Sequence, residues 1–157
     1  MTEDPRVKVS PTDLKASFDL SQRIAATLAE ARRFYGEKNS VLKQLDGIKD
    51  AHFRPLADRI RQKPAPGEPT FESVDGILTG IENDLEATDG APMAAQQQAF
   101  DDARSKLIEA QRRWNAVQTG PLAQLNAALK KSGRKPLTIP PASSLDFTPP
   151  APGQDLP

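Results

Sequence analysis

The chain reads as an all-α protein: an antiparallel up-and-down helical bundle of three main helices and a short fourth, with an extended or disordered proline-rich C-terminal tail. Three observations predict this. The fifteen prolines cluster so as to leave long proline-free intervals at 12–54, 70–91, 93–120 and 122–135. Within those intervals apolar residues recur at three- and four-residue steps, which is helical periodicity. No segment shows the strict alternation of a half-buried strand, and no internal repeat is visible. The implied organisation is a lead-in over 1–10, a bundle over 11–133 and a tail over 134–157.

The first helix opens at Ser10-Pro11-Thr12-Asp13. Serine caps free amides, proline suits the first helical position, and an aspartate in the first turn favours the positive end of the helix dipole. Leu14, Phe18, Ile24, Leu28, Ala31, Tyr35, Leu42, Leu45 and Ile48 then form one stripe. Some 42 residues would span about 60 Å. Gly36 and Gly47 weaken the rod, so a bend or short break near Gly36–Asn39 is expected. Pro55 is expected to kink it, with Leu56 and Ile60 carrying the pattern on to about Gln62.

Lys63-Pro64-Ala65-Pro66-Gly67-Glu68-Pro69 is a loop by composition. Thr70 caps a second helix carrying Phe71, Val74, Ile77 or Leu78, Ile81 and Leu85. Gly76 and Gly80, four residues apart, either form a small-residue groove for another helix or are exposed and tolerated. Asp89-Gly90-Ala91-Pro92 makes the next turn, with Gly90 as a left-handed stop and Pro92 as a first helical position. The third helix has the cleanest seam: Met93, Gln96, Phe100, Ala103, Leu107, Ala110, Trp114 and Val117, in steps alternating between three and four. Gly120-Pro121 interrupts it. Leu122, Leu125, Ala128 and Leu129 make the short fourth helix, which Gly133 ends. From residue 134 onward seven of 24 residues are proline, too few of the rest being large and apolar to order the segment alone. Leu137, Ile139, Leu145 and Phe147 are the residues able to pin part of it to the bundle.

Twenty-one basic residues balance 21 acidic ones. That balance argues against a dedicated nucleic-acid binder. It is a sum of unequal parts: +4 over 1–63, −7 over 64–90, +3 over 91–133 and zero over the tail. The acidic second helix would therefore lie between two basic ones, an arrangement that disfavours wrong helix orders. There is no cysteine, so no disulfide or thiolate chemistry is possible. No apolar run is long enough for a membrane span, and residues 1–10 lack a signal-peptide core.

Catalysis would hinge on His52, the one histidine, and Lys49 stands where a di-iron Glu-x-x-His motif needs its glutamate. Glu82 and Glu86 share a helix face, with Asp84 between them, but paired carboxylates need a pocket to separate their pKa values. Asp101-Asp102 reads as surface charge, Asp102 pairing with Lys106. No phosphate loop, nucleophile set or zinc spacing is present. No catalytic, cofactor or metal residue is assigned. The candidate interaction surface is aromatic. Phe34 and Tyr35 are adjacent and cannot both face inward, Phe53 adjoins His52, and Trp114 follows Arg112-Arg113 while also lying on the seam.

Asp4-Pro5-Arg6-Val7 followed by Ser10 to Ile24 (SPTDLKASFDLSQRI) resembles the opening of the C-terminal helical region of large bacterial sortilin-like, BNR/Asp-box β-propeller proteins, often labelled glycosyl-hydrolase-like. Trp114, the Pro121–Leu129 stretch, Gly133 and Pro136-Leu137 fit the same pattern, so the resemblance spans roughly residues 4–137. It implies a C-terminal piece of an extracytoplasmic (periplasmic or secreted) protein whose propeller lies outside this sequence. No enzymatic residue carries over. The expected function is a non-catalytic helical-bundle module for packing or protein–protein interaction, its partner the absent propeller of the same parent. The alternative is a free-standing helical adaptor or small-ligand-binding protein whose proline-rich tail recruits a partner.

Overall fold

A computed structural model of the chain describes residues 10–88 and 90–141. The lead-in before Ser10 and the positions of Leu145 and Phe147 lie outside the described residues. The first helix, α1 (Pro11–Asp46), starts where its punctuation predicts. The Ser10 hydroxyl accepts from the Asp13 amide at 3.1 Å, and Pro11 stands in the first turn. The helix runs unbroken through Gly36–Asn39, so no break occurs there. Glu37 and Val41 are buried along this stretch, and their packing outweighs the roughly 1 kcal/mol that a helical glycine costs.

The rod does not continue to Gln62. It stops at Gly47, whose amide donates back to the carbonyls of Gln44 and Leu45. The Asp50 carboxylate accepts from the His52 amide at 2.9 Å and caps a short 3-10 turn, Ala51–Phe53. That turn leads into α2 (Arg54–Arg61), where Pro55 occupies the first turn and sacrifices no helical hydrogen bond. Asp46 and Arg61 pair at 3.1 Å; on a continuous helix they would stand about 22 Å apart. Hence α2 folds back on the end of α1, and proline here starts a helix instead of kinking one.

The third helix, α3 (Phe71–Glu86), has a reciprocal cap: Ser73 N donates to Thr70 Oγ1 at 3.1 Å and Thr70 N to Ser73 Oγ at 2.9 Å. It ends at Ala87, so Gly90 comes too late to act as its stop and has no left-handed backbone. Met93, preceded by Pro92, caps α4 (Ala94–Val117), and its amide donates to Gln96 Oε1 at 2.8 Å. Gly120-Pro121 does not break the chain's course. A single π turn, Gln118–Leu122, joins α4 to α5 (Ala123–Lys131). The wide turn accommodates the missing proline N–H, as π turns in helices do. The described residues thus hold five α-helices and no strand: an all-α bundle whose extra element is α2.

Helix directions follow from the cross-helix pairs. Arg23–Asp101 at 3.5 Å, Gln111–Glu30 at 2.8 Å and Trp114–Glu37 at 3.4 Å ascend together, so α1 and α4 run parallel. Arg32–Asp75 at 2.6 Å and the Phe34–Phe71 ring stack at 5.6 Å descend on α3, which runs antiparallel between them. The acidic helix therefore does lie beside both basic ones. The predicted α4 seam is the core, with Gln96, Phe100, Ala103, Leu107, Ala110 and Trp114 all buried. On α1 the core begins only at Leu20. In the parallel register α4 starts level with residues 16–17 of α1, and Asp13, Ala16 and Ser17, which continue the Leu20–Ile24 face, are half-buried. Leu14 and Phe18, predicted core positions, are 57% and 62% exposed, because at about 100° per residue they are turned away from the face that Leu20, Ile24 and Ala31 define.

The described part of the tail has neither helix nor strand, as expected, and of the residues able to pin it Ile139 stays 38% exposed. Up to Pro141 it is described, and Leu137 packs on the core. Asn126 embraces Leu137: the Leu137 amide donates to Asn126 Oδ1 at 2.8 Å, and Nδ2 donates to the Leu137 carbonyl at 3.0 Å. Gln44 does the same for Thr138, at 2.9 and 2.7 Å. A side-chain amide offers one donor and one acceptor, the complement of a peptide unit. Gly133, at φ +70°, turns the chain out of α5 as predicted, and Arg134 pairs with Asp50 at 2.9 Å.

Candidate functional site

The four aromatic residues expected to share a surface do not form one. Phe53 and Trp114 are 2% and 4% exposed, inside the core. Phe53 is covered by the Arg134 guanidinium at 5.3 Å from its ring centre, and it lies edge-on to His52. Trp114 donates from Nε1 to Glu37 Oε2 at 3.4 Å, and Arg33 neutralises the same carboxylate at 2.8 Å. Glu37 is thus a buried charge with a cation and a donor in attendance, the arrangement that makes burial tolerable. Phe34 is half-buried between the stacked Phe71 ring and the Arg33 guanidinium, 4.1 Å from its centroid. Tyr35 is half-buried and, with Arg32, Phe71 and Asp75, lines a small recess of about 180 Å³.

His52 is exposed, and its backbone is committed to capping by Asp50. That amide, seconded by the nearby Arg134 guanidinium, holds the Asp50 carboxyl below the ordinary aspartate range. Glu82 is half-buried, while Asp84, Glu86, Asp101 and Asp102 are exposed. Among the described residues no cluster of three or more histidines and carboxylates is placed to hold a metal ion.

The larger concavity is a pocket of about 400 Å³ where α1, the end of α2, the proline loop, the start of α3 and the end of α4 converge. The loop is held in shape by its own chemistry. Ala65-Pro66-Gly67-Glu68 closes with Glu68 N donating to Ala65 O at 3.0 Å, Gly67 taking φ +87°. Proline followed by a positive-φ glycine makes a type II turn. Arg113 staples the loop to α4, pairing with Glu68 Oε2 at 2.8 Å and donating to the Pro69 carbonyl. Buried Ile60, Phe71 and Trp114 form the pocket's apolar floor, and half-buried Val117 extends it. Lys38, Arg59 and Lys63 line its mouth. Among the described residues none of these three has a carboxylate within salt-bridge distance, and Arg59 reaches the Gln124 amide oxygen at 3.5 Å.

No motif flags these cations, because they come from three segments. The net +4 of residues 1–63 was the available signal, without their convergence. No protein-family model, no curated protein and no solved structure matches the chain.

Proposed function

We propose that this chain is a non-catalytic helical-bundle module that docks through the free end of α1 onto a neighbouring protein body. The observation that carries the proposal is the apolar end of the bundle. Leu14 and Phe18 lie one turn apart on the solvent-facing side of the start of α1, and Met93, 57% exposed, lies at the same end by register. Large apolar groups presented to water add nothing to packing among the described residues, and exposed patches of this kind mark association sites. The resemblance to sortilin-like proteins supplies the occupant: a β-propeller of the same parent chain, outside the cytoplasm.

The test is a photo-crosslinker, p-benzoylphenylalanine, at position 18 of the parent protein. Crosslinks from position 18 into propeller strands are expected. The pair Leu14→Asp and Phe18→Asp should abolish docking while leaving helicity and melting temperature of the module intact, since both side chains are exposed. A parent without a propeller, or crosslinks to solvent alone, would remove the reading. The ligand-binding alternative is favoured by a separate observation, the pocket.

A further inference from the structure

We infer that the pocket between α1, α2, the proline loop and α4 is a binding site for an amphipathic anion: a carboxylate, sulfonate or phosphate head on an aromatic or aliphatic body. This does not rest on the docking proposal, which concerns the opposite end of the bundle.

The volume, about 400 Å³, falls in the range of small-molecule sites. The lining divides by chemistry. The floor offers Phe71, Trp114 and Val117, and the mouth offers Lys38, Arg59 and Lys63. The two other charged lining residues, Arg113 and Glu68, neutralise each other at 2.8 Å. Three positive charges therefore face one concavity without a paired carboxylate among the described residues, and like charges so placed repel until an anion joins them. A neutral apolar ligand would desolvate cations and give them nothing in return. A small inorganic anion would leave the apolar floor wet. An anion carrying an apolar body satisfies both.

The frame is pre-organised. The Pro66-Gly67 turn and the Arg113 staple hold the loop before any ligand arrives, so little ordering entropy remains to be lost on binding. Trp114 is the chain's one tryptophan, and its position in the floor makes it an internal reporter.

Decanoate, decan-1-ol and acetate are the probes, titrated by calorimetry and by Trp114 fluorescence. Saturable decanoate binding that weakens with salt is expected, with decan-1-ol and acetate each weaker by about tenfold or more. The double variant Lys38→Glu/Lys63→Glu should weaken decanoate by about tenfold or more while its circular dichroism stays that of the wild type. Ala116→Trp, at an exposed position on the pocket wall, should block decanoate without altering any charge. Absence of saturable decanoate binding, decan-1-ol binding as tightly as decanoate, or indifference to the charge reversal would each overturn the assignment.

Discussion

Replacing Asn126 by Ala should free the segment after Gly133 without unfolding the bundle. Asn126 makes two hydrogen bonds to Leu137, at 2.8 and 3.0 Å, across a partly buried contact. A hydrogen bond exchanged against water contributes about 0.5–1.5 kcal/mol net, less where water reaches it. Two such bonds amount to about 1–2 kcal/mol at this exposure, or roughly 5- to 30-fold in a local opening equilibrium. Amide hydrogen exchange resolved at Leu137 and Thr138 is the assay. In the wild type both amides should be protected, because each donates to a side-chain oxygen. In Asn126→Ala, exchange at Leu137 should accelerate by that factor, while core amides of α4 such as Leu107 stay unchanged. Asn126→Asp retains the acceptor and loses the donor, so its effect should fall between. Exchange at Leu137 that is already as fast as in an unstructured peptide, or that ignores the substitution, would refute the clamp.

Trp114→Ala should cost about 3–5 kcal/mol in chemical denaturation, since it empties a buried indole site and strips Glu37 of a donor; a loss below about 1 kcal/mol would mean that the indole is not part of the core. Gly76→Ala and Gly80→Ala should each stabilise the protein by about 0.5–1 kcal/mol, because both are exposed in α3 and an added Cβ meets nothing within 4 Å. A lower melting temperature in the double variant would instead reveal a helix closely approaching those glycines. The Asp50 carboxyl, followed by carbon NMR, should titrate below the same group in the denatured chain. With its folded pKa depressed, its stabilising effect is present above the denatured-state pKa and disappears as pH falls through the folded one. Asp50→Asn should erase that acid-side contribution, and identical titration in both states would contradict the cap.

Local chemistry dictated much of what the chain became. The caps at Ser10 and Thr70, the left-handed stop at Gly133 and the buried seam from Gln96 to Trp114 all depend on residues within a turn or two of one another, so a linear reading captures them. Gly76 and Gly80 resolve as exposed glycines with open space above them. Other features required neighbours that sequence order does not supply. Three- and four-residue spacing did not separate the core face of α1 from the face beside it, so Leu14 and Phe18 were assigned to a core whose face runs instead through Asp13, Ala16, Ser17 and Leu20. The same limit hid the end of α1. Leu56 and Ile60 keep the helical rhythm across Gly47–Phe53, yet the Asp46–Arg61 pair closes only because the chain reverses there. The tail looked unable to order itself, and by itself that holds. Gln44, ninety-four residues earlier than Thr138, supplies the missing partner. The pocket follows the same rule, its cations and aromatics drawn from five segments. What the sequence alone determined was helix identity, register of faces and turn chemistry, because these are short-range. The ends of the bundle, the docked tail and the charged pocket were decided by tertiary structure, because hydrogen bonds and charges act on whatever folding brings within a few ångströms.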